Sequence, residues 1–244
     1  MAKRTTKTKK KTVKKTKRQR RRPDLWIKRW TLRIVSVAFL LAVFVVVLWG
    51  VFNPPTTFYM LQESRRLDGV ERTWVDMDQI APIMPRAAVA AEDSNFCLHW
   101  GLDVGAIRKA IDEGSRRGAS TISQQVAKNV FLWHGRSYSR KVLEAGMTLV
   151  MEALWSKRRI LEVYLNVAEF DEGVFGIQEA AQHYFDVDAA SLTSTQAARL
   201  AAILPDPKGR SAKNPSNFVR TRARQIIDGA ATIRADGRAD CFQS

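Results

Sequence analysis

The chain has 244 residues, with 40 Lys/Arg against 24 Asp/Glu and a formal net charge of +16. That length fits one large domain, or one domain with an appendage. The charge is concentrated: residues 1–33 hold sixteen of the basic side chains and a single acid, Asp24, so the remainder is nearly neutral, which excludes a DNA-binding domain carrying its charge on a folded face.

The first stretch, KRTTKTKKKTVKKTKRQRRR, has almost no apolar residue. It cannot bury enough surface to offset the entropy of ordering it, so residues 1–30 are expected to be a disordered basic tail. Beside an apolar run, such a tail sets topology at an anionic lipid surface; binding nucleic acid is the other use of a charge run. The apolar run follows: IVSVAFLLAVFVVVLWGVF, residues 34–52, nineteen residues without a charge. At ~1.5 Å per residue it spans about 28 Å, against a bilayer core of ~30 Å. Trp30 and Trp49 stand near its ends, as interfacial aromatics do. A cleavable signal would be shorter and would end in small residues; this run ends in Trp-Gly-Val-Phe and then Asn53-Pro54-Pro55. The reading is an uncleaved signal anchor over 31–52. By the positive-inside rule the tail is cytoplasmic and residues 56–244 lie outside.

Residues 53–76 read as a connector, with a short extended piece around FYML, and 77–244 as the folded domain. That domain reads as mainly α, with no alternating strand of any length. Helices are expected from about Gln79 to Ala91, perturbed at the start by Pro82 and Pro85, and from Asp103 to the EGSRRG break. Ser120 or Thr121 caps TISQQVAKNVFL. A long helix covers 138–155, Ser156 interrupts, and KRRILEVYLN continues. GVFGIQEAAQHYF follows a Gly-rich turn. Thr193, three residues before Gln196, opens a capping box for a helix that closes at Pro205. Ser216 starts a last helix to about Arg234. Cys97 and Cys241 lie in a compartment that permits disulfides, but far apart in the chain, and no bridge is expected. His99, His134 and His183 show no metal-ligand spacing.

Three stretches carry chemistry-bearing residues. In RAAVAAEDSNFCLHWG, residues 86–101, a small-residue helix ends in Glu92 and Asp93, flanked by Phe96 and Trp100. Partial burial raises a carboxyl pKa and makes a better base near neutrality, although acids at helix ends are commonly just solvated. In RGASTISQQVAKN, residues 117–129, Ser120 and Thr121 sit at a helix N-terminus suited to anions. Gln124, Gln125, Lys128 and Asn129 then share one polar face by their spacing. An ordinary capped amphipathic helix is the competing reading. In the helix from 138, Arg140 and Glu144 stand four apart, as an exposed ion pair of little consequence or as a phosphate-binding Arg oriented by its Glu.

Together with GVFGIQEAAQHYF and LTSTQAARLAAILPDP, these stretches resemble the peptidoglycan glycosyltransferases, specifically the monofunctional biosynthetic transglycosylases of Gram-negative bacteria. The resemblance covers most of residues 77–244 and is specific in its ordered combination. It implies a mostly helical, lysozyme-like glycosyltransferase domain with a small membrane-proximal jaw lobe, and polymerisation of lipid II into glycan strands. By the same resemblance Glu92 matches the catalytic base of the ED motif and Glu144 the second essential Glu. Lys128 and Arg140 match positions that bind the donor diphosphate, and Ser120, Thr121, Gln125 and Asn129 fall in the motif lining that site. The chain departs from the family where Glu169-Phe170-Asp171 follows YLN: many members have Tyr-Phe-Gly, and Asp171 stands where Gly is frequent, which bears on the turn and not on the reaction. The segment before RGAST resembles a short mobile lid.

The chemistry implied is inversion at MurNAc C1. Glu92 deprotonates the GlcNAc 4-OH, and the lipid diphosphate leaves as an anion toward Lys128 and Arg140. No cofactor is required, and a divalent cation such as Mg is compatible with a diphosphate leaving group. The expected partners are lipid II and the growing lipid-linked strand, the inner membrane, and other cell-wall synthesis or division proteins, with no nucleic acid. A lytic muramidase on the same kind of fold and a non-enzymatic membrane-anchored scaffold are the alternatives. A fused transpeptidase is not expected, since no Ser-x-x-Lys occurs.

Overall fold

The computed structural model describes residues 23–112, 114, 120–135 and 137–243. The basic tail up to residue 22, and residues 117–119 at the start of RGAST, lie outside the described residues. The chain divides into two units, one up to Ala42 and one from Val43.

Described residues of the first unit belong to α1 (Pro23–Val51). The helix starts earlier than residue 31. Pro23 fits a first helical turn, where its missing N–H is not needed. Its apolar side chains, from Leu25 to Leu41, are exposed to the surroundings, and Leu25–Val51 is long and apolar enough to cross a membrane.

The second unit begins with about the last two and a half turns of α1, from Val43 to Val51. Here Trp155 Nε1–H donates to Val46 O (2.7 Å), and the Arg159 guanidinium donates to Trp49 O (3.0 Å) and Phe52 O (2.8 Å). Trp49 and Phe52 stand at the C-terminal end of the helix, where carbonyls lack intrahelical partners. Residues Phe58–Leu67 form a helix, α2, rather than an extended piece: Thr57 caps it by accepting from Met60 N–H, and Arg65 and Arg66 lie at its carbonyl end.

Two helical layers make the core. In the first, α3 (Ile83–Glu92), α9 (Ser194–Ile203) and α10 (Asn217–Ala235) pack on one another. Small side chains allow this: Ala87, Ala88, Ala197, Ala201, Ala223 and Ala230 are all buried. A Cβ on Gly229 of α10 would come within 3.2 Å of the Ala90 Cβ. In the second layer, α5 (Ile122–Phe131) packs between α6 (Tyr138–Leu154) and α7 (Lys157–Val167). The caps at Thr121 and Thr193 are ones the sequence indicates; Ser156, expected only as an interruption, caps α7, and Ser216, in the expected start of the last helix, caps α10. Between α3 and α5 lies α4 (Val104–Asp112), which carries no buried side chain.

A two-stranded hairpin, β1 (Glu169–Asp171) and β2 (Val174–Phe175), stands where no strand is expected. It is too short for an alternating pattern to register. Asp171 is accommodated without unusual backbone: the turn's positive φ (78°) falls on Gly173. Asp171 Oδ1 accepts from Glu172 N–H (2.8 Å), and Oδ2 accepts from Tyr184 Oη–H (2.8 Å). Tyr184 belongs to α8 (Ile177–Phe185).

The chain ends in a short helix, α11 (Asp240–Gln243), beyond the last helix expected from sequence. It corrects the expectation of two free thiols: Cys97 and Cys241 form a disulfide with Cα atoms 5.7 Å apart across 144 positions of chain. Around it the Phe96 and Phe242 rings lie 6.3 Å apart, and Arg238 Nη1–H donates to Ser94 O (3.1 Å). Sequence spacing says nothing of this proximity, which arises when the helices pack.

Candidate active site

Glu92 is the last residue of α3, held by that helix's close packing. Burial pushes its carboxyl above the ordinary range. The Gln125 amide, whose Nε2–H donates to Glu92 Oε2 (2.8 Å), pulls it back, as do the charges of Arg222 and Lys128, while Asp93 adds to the rise. A carboxyl held this way is ionised above an elevated pKa and retains proton affinity, as a base acting on an alcohol requires.

Asp93 performs a different task. Its Oδ2 accepts from Ile122 N–H (3.0 Å) at the N-terminus of α5, and His99 Nε2–H donates to its Oδ1 (2.9 Å). The carboxylate thus ties the free N–H groups of α5 to the end of α3 and fixes where α5 starts. Thr121 completes the joint. Its hydroxyl accepts from Gln124 N–H (3.2 Å) and donates to Gly101 O (2.6 Å), and the side chain is buried. Gly101 has φ of 75°, and a Cβ there would meet Thr148 Cγ2 at 2.6 Å. Gln124 closes the capping box.

With α5 so placed, Gln125, Lys128 and Asn129 face the end of α3 and the start of α6. Burial lowers the Lys128 pKa, opposed by the nearby charge of Glu144 and, last in strength, Glu92. Among the described residues its ammonium has no hydrogen-bond or ion-pair partner. Asn129 Oδ1 is likewise buried without a partner.

Glu144, 2% exposed, lies between two cations. Arg140 Nη1–H donates to its Oε2 (2.6 Å), Lys141 Nζ–H donates to its Oε1, and Lys141 also reaches Ser120 Oγ (3.1 Å). Arg140 is fixed a second time by Gly135 O (2.8 Å). With both oxygens engaged, Glu144 is built as an anchor for cations, not as a free proton carrier. The structure therefore joins Glu92 to Gln125 and Arg140 to Glu144 directly, and Ser120 to Glu144 through Lys141.

Sequence reasoning missed several neighbours. Lys141 was legible as the second cation of the Arg-Lys pair, three residues from Glu144. His134 carries no local signal. It stacks on Tyr59 (ring centroids 3.8 Å), and burial with the charges of Lys128 and Arg140 pushes its pKa down to about 4, so it is neutral at pH 7. A cleft of about 490 Å³ opens at Glu92 and Ser120, lined also by Arg210, Phe218 and Arg222. Arg222 Nη2–H donates to Ala91 O (3.0 Å) at the end of α3, and Arg210 lies over the Phe218 ring (4.9 Å). These arginines come from segments 90 or more positions beyond the acid they face. Among the described residues no cluster of three His, Cys, Asp or Glu could hold a metal ion.

The family model described as "Transglycosylase" matches residues 60–231. Curated relatives named "Biosynthetic peptidoglycan transglycosylase" are similar along most of their lengths. The protein of Jannaschia sp. (strain CCS1) is 60% identical over 217 residues, covering 88% of this chain and 90% of the relative. That of Caulobacter vibrioides is 48% identical over 200 residues, covering 80% and 87%. That of Escherichia coli (strain K12 / DH10B) is 49% identical over 217 residues, covering 83% and 88%.

Proposed function

Because this chain belongs to the transglycosylase family, we propose that its reaction is polymerisation of lipid II into linear β-1,4 glycan strands, with the residues around Glu92 as the chemical centre. The chain is a peptidoglycan glycosyltransferase, with lipid II and the glycan strand as substrate and product. The observation that carries the assignment of the centre is the partly buried, Gln125-bonded carboxylate of Glu92 at a cleft with Lys128 close enough to shift it.

The acceptor sugar hydroxyl is a weak nucleophile. Glu92 takes its proton as the oxygen bonds to MurNAc C1 of the donor. The C1–O bond to the diphosphate breaks with inversion, and undecaprenyl diphosphate leaves with the electron pair. Such a leaving group needs positive charge rather than a proton. Lys128, without a counterion contact among the described residues, and Arg140, aimed by Glu144 and Gly135 O, supply it. Ser120, Gln125 and Asn129 offer hydrogen bonds on the same wall, and Thr121 holds that wall in place. Arg210 and Arg222 add positive charge to the cleft lining. A muramidase would have to protonate a sugar leaving group, and the relatives' names do not favour it.

The single apolar helix is consistent with a single-pass anchor. Its N-terminal cations support a cytoplasmic tail, an inner-membrane location and an external catalytic domain. The Cys97–Cys241 bridge supports an oxidising compartment for that domain. The test is polymerisation of labelled lipid II by the purified chain in detergent, beside Glu92→Gln. Strands from the native chain and a loss of about 10²-fold or more in the variant are expected. Equal polymer from both would remove Glu92 from the mechanism, and no polymer from the native chain would overturn the reaction.

A further inference from the structure

A second cleft, of about 450 Å³, shares no lining residue with the one at Glu92. It opens where the N-terminal half of α3 meets α10, α7 and the terminal α11. Three arginines line it: Arg86 of α3, Arg158 of α7 and Arg234 of α10. They have a single acid among them, Asp78, whose Oδ1 accepts from Arg158 Nη2–H (2.5 Å).

That leaves Arg86 and Arg234 without an acidic partner among the described residues. Arg86 Nη1–H donates to the neutral amide of Gln243 (3.2 Å), while its Nε is buried with no partner. Burial and the charge of Arg234 both disfavour the charged form of Arg86, so the two guanidiniums are near enough to repel. Arg234 has no hydrogen-bond or ion-pair partner among the described residues. Holding two like charges together beside an orphaned donor costs stability, and an anion bound between them would remove both costs. The remaining wall is apolar, with Ile80, Pro82 and Pro85. The cleft is far larger than a single phosphate needs, and guanidinium forks match carboxylates in two-point geometry.

We propose that this cleft is a binding site for an acidic peptide segment, with carboxylates on Arg86 and Arg234 and an adjoining apolar side chain on the proline wall. Arg86 lies six positions before Glu92, about 9 Å along α3, so the occupant sits behind the catalytic helix and outside the substrate cleft.

The test uses the full chain in detergent at low ionic strength, with calorimetric titration of three probes: acetyl-Phe-Glu-Glu-amide, acetyl-Phe-Gln-Gln-amide and inorganic phosphate. Saturable 1:1 binding of the acidic peptide alone is expected. The double variant Arg86→Gln/Arg234→Gln should weaken it at least about tenfold, while polymerising lipid II like the native chain. Asp78→Asn releases Arg158 from its ion pair and should tighten binding about threefold; Asp78 is 89% exposed at its side chain, so this variant keeps the fold. Absence of saturable binding, undiminished binding by the double variant, or no gain in Asp78→Asn would each overturn the site. Phosphate binding as tightly as the acidic peptide would overturn its assignment to a peptide.

Discussion

Glu144 is the residue on which two mechanisms diverge, and a double-mutant cycle with Arg140 separates them. At 2.6 Å, with an effective dielectric near 20, the attraction between the two groups is about 6 kcal/mol before desolvation is subtracted. Both side chains are removed from water, Arg140 at 11% and Glu144 at 3% exposure, so desolvation offsets much of it. A coupling of about 1.5–3 kcal/mol is left, typical of a hydrogen bond to a charged group. Lys141, 46% exposed, remains solvated and adds little. Glu144→Gln should therefore lower stability by about 3 kcal/mol, or roughly 6–12 °C in Tm at this chain length. In lipid II polymerisation, Glu144→Gln and Arg140→Gln should each reduce kcat/KM about 10²-fold, since both remove one aimed cation from the leaving group. The double variant should be no worse than Arg140→Gln alone, within about threefold. Losses that multiply, together with a changed pH profile in Glu144→Gln alone, would refute the anchoring role and make Glu144 an independent proton carrier.

Three other outcomes follow from the geometry. Glu92 has a raised pKa in the folded chain, so the native state binds its proton more readily than the unfolded one, and stability falls as pH rises from the ordinary carboxyl range through the folded value. At pH 7 Glu92→Gln should thus raise Tm by roughly 2–4 °C, about 1 kcal/mol, while polymerisation is lost; an unchanged or lowered Tm in thermal unfolding would contradict the burial argument. The acid limb of the native chain's rate profile should lie above the ordinary carboxyl range for the same reason. Cys97→Ser/Cys241→Ser opens a loop of 144 positions, for which the chain-entropy model gives a loss of up to about 5 kcal/mol. Scanning calorimetry showing less than about 1 kcal/mol would mean that helix packing alone fixes the C-terminus. Gly50→Ala gains about 1 kcal/mol of helix propensity, but its Cβ would meet Trp155 Nε1 at 2.8 Å and disturb the bond to Val46 O. Overpacking at about 1–3 kcal/mol should win, and a Tm above that of the native chain would show that Trp155 can move aside.

What the sequence determined by itself is what local chemistry specifies. The apolar run read as a spanning helix, and the caps at Thr121 and Thr193 marked helix starts, because a hydroxyl that satisfies a backbone N–H acts within three residues. The ordered motifs named the family for a related reason: each is a contiguous stretch of sequence. Glu92, Lys128, Arg140 and Glu144 were legible within those stretches. The tertiary structure decided which of them meet and what completes them. Asp93 joins two helices through a bond spanning 29 positions, Lys141 chooses Glu144 and Ser120 together, and Arg210 and Arg222 come to line the same cleft as Glu92. The hairpin at Asp171 was hidden because three paired residues show no period, and the disulfide because proximity across 144 positions is a product of packing. Charge acts through space, so whether a carboxylate is a solvated helix end or a buried base is set by neighbours that the chain brings back only on folding.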